Sequence, residues 1–354
     1  MSRMSVLQSL VRPNFNFAVD VTVPLSGTTG VYGPSGSGKT TLLRCIAGLE
    51  PDAVGAINVG DAVWQDANGR LSPSQRSVGY VFQEPRLFSH LNVQQNIEYG
   101  FQRRTGDADI REIATMLGIE ALMNRPVADL SGGEAQRVSI ARALASAPTI
   151  LLMDEPLASI DQRRKSDILP FLDRLQASST LPIIYVSHSL DEICRLCDHL
   201  IVLEDGCVTA EGPLQDVLLD ADVPALSGFE TSAVIDAQVI AFDSDDELTT
   251  VRFSGGDVLL SGHIGETGQQ IRLRIHANDI SLTRGSEDQT TILNRLEVEV
   301  EAIHHGEGAT RIVRLRAGKE KLLARITRRS VEAMRLAPGE QVTAQLKAVA
   351  VRQS

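Results

Sequence analysis

One stretch constrains this chain more than any other: Gly33-Pro34-Ser35-Gly36-Ser37-Gly38-Lys39-Thr40-Thr41. It follows a short β-prone run, Thr29 to Tyr32, and precedes the apolar-periodic segment Leu42 to Leu49. Strand, glycine loop and helix in that order, with the pattern G-x-x-x-x-G-K-[ST], make a phosphate cradle. Glycine lets the backbone turn tightly enough to aim successive N–H groups inward at an anion. The helix expected from about Lys39 adds its positive end. Lys39 can reach the β- and γ-phosphates of a nucleotide, and the Thr40 hydroxyl can hold Mg²⁺. A chance glycine turn would not come bracketed by the strand and the helix that this chemistry needs.

Around that loop the composition is ordinary. The 354 residues, 43% hydrophobic and 22% charged, are enough for two globular domains. A net charge of −11 makes the chain a poor binder of phosphate backbones, so no nucleic-acid partner is expected. No apolar run approaches the ~20 residues that span a bilayer. Met1 to Phe17 has no basic stretch followed by an apolar one, so a cytosolic protein, or one held at a membrane through a partner, is expected. Cys194-Arg195-Leu196-Cys197 has no two further metal ligands nearby. Reduced, half-buried cysteines on a helix are the expectation there.

In chain order, residues 4 to 32 alternate apolar and polar and read as antiparallel strands, with Phe15, Phe17, Val19, Val21 and Val23 on one face. Phe15 or Phe17 could stack on an adenine, but inward strand residues are more often core. Gly55 to Arg76 reads as strands and turns. Val78 to Phe82 reads as a buried strand ending at Gln83, at the sheet edge where open α/β sheets bind ligands. Residues 84 to 127 are polar with helical stretches and look like an insertion outside the sheet.

Ser131, followed by Gly132, Gly133 and Glu134, forms a capping box that opens a helix through Gln136 and Leu144. Its two bare glycines make a second anion-ready helix start. Ile150 to Met153 is a doubly buried strand ending in Asp154-Glu155. Asp154 suits Mg²⁺, through water, and Glu155 suits polarising an attacking water. Ser159-Ile160-Asp161 precedes a helix. Pro182 to Ser187 is another buried strand, and His188 stands at its end, on the same edge as Gln83, Asp154 and Glu155.

Together these residues resemble the ABC-transporter ATPases, over about residues 1 to 228, with every element in order. The resemblance implies an α/β P-loop NTPase with a helical subdomain at about 84–145. It further implies a head-to-tail homodimer holding two ATP, each between the phosphate loop of one subunit and Ser131, Gly132, Gly133 and Gln136 of the other. It makes Glu155 the general base and His188 the γ-phosphate sensor. It gives Gln83, Thr40 and Asp154 to Mg²⁺ and adds Asp161 to the nucleotide contacts. Residues 84–100 would face an integral-membrane permease at the cytoplasmic face of the inner membrane, with a periplasmic oxyanion-binding protein as an indirect partner. Arg76 to Gln83, Arg86-Leu87-Phe88, Asp154 to Asp161 and Tyr185 to Ile193 are similar to the import ATPases for small oxyanions, the molybdate importers above all. Tungstate, sulfate or sugar importers are the alternatives within the class. A stand-alone oxyanion-binding regulatory protein is the alternative outside it.

From about residue 229 to 354 short strands and glycine turns replace the α/β alternation, the pattern of a small all-β, OB-like barrel. Gly268 to His276 parallels Gly339 to Lys347, and Val258 to Ser261 parallels Lys321 to Ala324, so two related five-strand units are expected. The second, about 288–354, resembles the molybdate-binding Mop domain through Gln289 to Leu296, Ala324 to Thr327 and Leu346 to Ala348. A tetrahedral dianion needs hydroxyls and a cation, and Thr291 and Lys347 suit it, with molybdate as a regulatory ligand. A barrel used only for dimerisation stays open at this point.

Overall fold

The computed structural model describes residues 2–13, 15–102, 108–158, 160, 162–178, 180–220, 223–226, 231–285, 290–305, 308–347 and 352–353. The chain divides into two compact units, 1–212 and 213–354. In the first, β1 (Arg3–Arg12), β2 (Phe15–Pro24), β3 (Thr28–Tyr32), β4 (Val54–Val59), β5 (Ala62–Asp66), β6 (Gly69–Arg70), β7 (Val78–Val81), β8 (Ile150–Asp154), β9 (Ile183–Val186), β10 (His199–Glu204) and β11 (Cys207–Pro213) form one sheet. Its order is β6-β5-β4-β1-β2-β11-β10-β3-β9-β8-β7.

Strict alternation buries Met4, Val6 and Leu10 of β1 against Phe17, Val19, Val21 and Val23 of β2, and the two pair antiparallel. The expected antiparallel arrangement stops there. β3 runs parallel to both β9 and β10. Its first four residues are all buried, as a strand covered on both faces requires, and the alternating pattern does not extend to it. β7, β8 and β9 continue the parallel half. The carboxyl ends of β3, β7, β8 and β9 therefore share one edge of the sheet.

The helices are α1 (Lys39–Ile46), α2 (Val93–Phe101), α3 (Ile110–Met116), α4 (Gly132–Ala145), α5 (Gln162–Ser178) and α6 (Leu190–Leu196). The insertion after β7 carries α2, α3 and α4, each opened by a capping side chain: Asn92, Asp109 and Ser131. Cys194 and Cys197 are fully buried rather than half-buried: Cys197 closes α6, and its sulfur packs against Gly30 of β3, only 2.9 Å from where a Cβ on that glycine would lie. None of the four cysteines is in a disulfide. Among the described residues no helix is long and apolar enough to cross a membrane.

In the second unit α7 (Leu214–Leu218) precedes β12 (Ser232–Asp243), β13 (Leu248–Phe253), β14 (Gly256–Ser261), β15 (Gln270–His276), β16 (Ile280–Thr283), β17 (Asn294–His305), β18 (Thr310–Ala317), β19 (Glu320–Thr327), α8 (Arg328–Met334), β20 (Gln341–Leu346) and β21 (Arg352–Gln353). The sequence places its change of pattern near residue 229; chain compactness places the division at 212/213. The two parallel segments read from the sequence fall on β15 with β20 and on β14 with β19. Their geometry repeats. β12 and β17 both shift register, between Val239 and Ala241 and between Val300 and Ala302. Gly268 N donates to Val239 O at 2.8 Å, and Gly339 N to Val300 O at 2.7 Å.

The two five-stranded sheets are not one repeat each. Their orders are β14-β13-β12-β15-β21 and β16-β20-β17-β18-β19, so each repeat lends its last strand to the other. One core joins them, with Ile235, Val251 and Leu273 from the first sheet and Val298, Leu315 and Val342 from the second. Asn294 adds a polar tie: its amide donates to Leu259 O at 3.0 Å and accepts from Leu259 N at 2.7 Å. A fragment 286–354 therefore lacks the β15 partner of β21, the β16 edge of its own sheet and half the core. It is expected to be unfolded by circular dichroism, whereas 213–354 folds. A monomeric 286–354 that melts cooperatively would contradict the exchange.

Candidate nucleotide site

β3 delivers the loop at the sheet edge, and the loop has room only for glycine at its first position. A Cβ on Gly33 would lie 2.1 Å from Leu203 O. At the far end Gly38 takes φ 101° and caps α1 with no side-chain bond, and the first turn of α1 carries no acid. The leading N–H groups of that helix are therefore offered to an external anion. Ser37 is buried, and its carbonyl accepts from Gly206 N at 3.1 Å, tying the loop to the turn before β11. Lys39 folds back to donate to Gly33 O at 2.8 Å and Pro34 O at 2.9 Å, and burial lowers its pKa.

The acid pair is split in function by its surroundings. Asp154 is buried. One oxygen accepts from Thr40 Oγ1 at 2.9 Å and the other from the Tyr80 hydroxyl at 3.0 Å. Burial raises the Asp154 pKa while the two hydroxyls hold it down, and burial, then Asp154, raises that of Tyr80. Glu155 turns the other way. Its φ of 45° is a conformation that costs a non-glycine residue about 1 kcal/mol or more, the kind of strain concentrated at working sites. Its amide donates to Val186 O at 3.1 Å, and its carboxylate lies 3.8 Å from Lys39 Nζ and 3.1 Å from His188 Nδ1. Beneath His188, buried Glu192 accepts from Ser187 Oγ at 2.7 Å, Tyr185 at 3.0 Å and Lys165 at 2.7 Å, fixing the end of β9.

A cleft of about 470 Å³ opens over the loop. It is lined by Arg12, Phe15, Ser35, Gly36, Gly38, Lys39, Thr40, Thr41, Gln83 and Glu155. The two candidate aromatics separate: Phe17 is core, and Phe15 faces the cleft. Arg12 was not read from the sequence; Glu50 holds it at 2.7 Å and also binds Arg44 at 2.5 Å. Tyr80 was missed too, although a phenol inside a buried strand demands a partner for its hydroxyl.

Ser131, Gly132 and Gly133 stand at the start of α4 and do not line this cleft. The capping box is formed: Ser131 N donates to Glu134 Oε2 at 2.8 Å and Glu134 N to Ser131 Oγ at 3.3 Å. Gln136 does not accompany them to the surface. It is 1% exposed, and its amide donates to Phe82 O at 3.4 Å, within its own chain. Asp161 lies outside the described residues. In the second unit Thr291 and Lys347 are both exposed, and the pairing of Asn294 with Leu346 brings the segments that carry them to one end of the sheet.

Phosphate loop, acid pair and capped signature on this sheet define an ATP-binding cassette of the ABC-transporter class. The ABC transporter family profile matches residues 17–158, and that of the TOBE domain matches residues 290–353. The chain is 47% identical to the molybdenum import ATP-binding protein ModC of Thiobacillus denitrificans, over 96% of this chain and 95% of that one. It is 45% identical to ModC of Albidiferax ferrireducens, over 99% and 96%. Among solved structures, the dimeric bacterial ABC transporter cassette MJ0796 matches with a TM-score of 0.51 and 26% identity, over 60% of this chain and 99% of that one. The chain belongs to the ModC family of molybdenum import ATP-binding proteins.

Proposed function

We propose that this chain is the ATP-hydrolysing subunit of a molybdate importer, working as a homodimer on the cytoplasmic face of the membrane. The carrying observation is the division of labour in the acid pair: Asp154 is held by Thr40 and Tyr80, while Glu155 faces Lys39 and His188. Thr40, Asp154 and Gln83 offer hydroxyl, carboxylate and amide oxygens, a donor set that fits Mg²⁺. The ion would neutralise charge on the phosphates.

Within that frame, Lys39 and the backbone N–H groups of 35–41 bind the phosphates, and Phe15 packs on the base with Arg12 beside it. Glu155 takes the proton of the attacking water. His188 orients the γ-phosphate. Ser131, Gly132 and Gly133 of the second copy close the far side. Residues 1–228 form the ATPase domain, with 84–145 as its helical part and 84–100 meeting the permease. Residues 229–354 form the regulatory barrel, where Thr291 and Lys347 take molybdate. A periplasmic oxyanion-binding protein delivers the solute.

The test is the complete complex in vesicles. Binding protein loaded with molybdate is expected to raise ATP turnover, and sulfate or sugar is not. Stimulation by another solute alone would reassign the cargo, and an absence of any turnover would leave only a regulatory role.

A further inference from the structure

Gln83 sits at the start of an irregular segment between β7 and α2, and that segment is gripped mainly by its carbonyls. Arg142 of α4 donates through Nη1 to Arg86 O at 3.0 Å and through Nη2 to Pro85 O at 3.2 Å, and its guanidinium lies 5.2 Å from the Phe88 ring. Gln136 of the same helix holds Phe82 O. Farther on, fully buried Asn96 accepts from Phe88 N at 2.9 Å and donates to the carbonyls of Phe88, Leu91 and Asn92 at 3.2, 3.4 and 3.0 Å. α2 lies so close to α4 that a Cβ on Gly100 would come 2.2 Å from Arg142 O. Arg86 holds φ 45°, a strained backbone at the residue whose carbonyl Arg142 takes.

We propose that Arg142 is a positioning residue for Gln83, which it holds in place through the carbonyls of Pro85 and Arg86. A planar fork that bonds two successive carbonyls fixes both the position and the tilt of the peptide between them, which a single bond cannot do. Pro85 and Arg86 lie two and three residues from Gln83. The inference rests on the reading of Gln83 as a nucleotide-side residue.

The test is a double-mutant cycle in the full chain with Arg142→Lys and Gln83→Ala. Each single change is expected to lower kcat between about tenfold and 100-fold with KM for ATP little changed, as a misplaced group does. In the Gln83→Ala background, Arg142→Lys is expected to have no further effect. Losses that multiply would overturn the proposal, as would a fall in kcat that tracks the thermal midpoint equally in both backgrounds. If Gln83→Ala turns over normally, the reading of Gln83 itself fails, and the proposal with it. Arg142→Gln keeps a single amide donor in place of the fork and runs the same cycle should Arg142→Lys not fold.

Discussion

Glu155→Gln is expected to stop turnover while ATP stays bound. The two neighbouring acids are not interchangeable. Both Asp154 oxygens already accept hydroxyl hydrogens, from Thr40 and Tyr80. Glu155 instead lies between Lys39 Nζ at 3.8 Å and His188 Nδ1 at 3.1 Å, at the mouth of the cleft. Glutamine has the same shape and leaves the backbone bond from residue 155 to Val186 O intact. Its amide cannot accept a proton from water. Removal of a positioned general base costs about 10²–10⁴ in rate, so kcat should fall by that factor with KM unchanged. Steady-state phosphate release, together with ATP retained through gel filtration, reads both halves of the result. Turnover within a few-fold of the parent would take Glu155 out of the role.

The contrast between the acids also marks how far the sequence could be read. The loop, the strand-end acids, His188 and the Ser131–Glu134 box were legible because each is a local pattern: a glycine spacing, an apolar run that stops, a cap three residues from its partner. What was not legible depends on partners distant in sequence. Tyr80 and Asp154 are joined only because β7 and β8 pair in parallel, with Val81 opposite Met153. Arg12 reaches the cleft because it ends β1 opposite Phe15, which lines the same cleft, and nothing near Arg12 in sequence announces that. The burial of Gln136 was not legible, because helix periodicity does not say which polar residue of a signature turns inward. In the barrel the repeat was visible but the exchange of last strands was not, since a strand's sequence matches either of two equivalent neighbours.

Arg76 is the largest feature that sequence reasoning passed over, and it carries the second large effect. It is wholly buried. Its guanidinium donates to Cys45 O at 2.8 Å, Ile46 O at 2.9 Å and Leu71 O at 3.1 Å, and to the Gln65 side chain at 3.3 Å, beside the Trp64 ring. Those partners are neutral, and burial pulls its pKa down. What favours the charge is the negative end of α1, the helix whose positive end faces the phosphate cradle. Gly48 serves the same contact, for a Cβ there would come 2.8 Å from Arg76 Nε. In Arg76→Met the volume stays filled but buried acceptors lose their donor, at about 1–3 kcal/mol for each that water cannot reach. A net loss of about 3 kcal/mol or more is expected, read as a lower urea midpoint for the first unit. Arg76→Lys should recover only part of it, because an ammonium cannot fork across Cys45 and Ile46 while also reaching Leu71. Saturating ATP should raise the midpoint of both variants, since the nucleotide binds the folded cradle at the other end of α1. A midpoint for Arg76→Met equal to the parent's would mean that α1 does not depend on this cation.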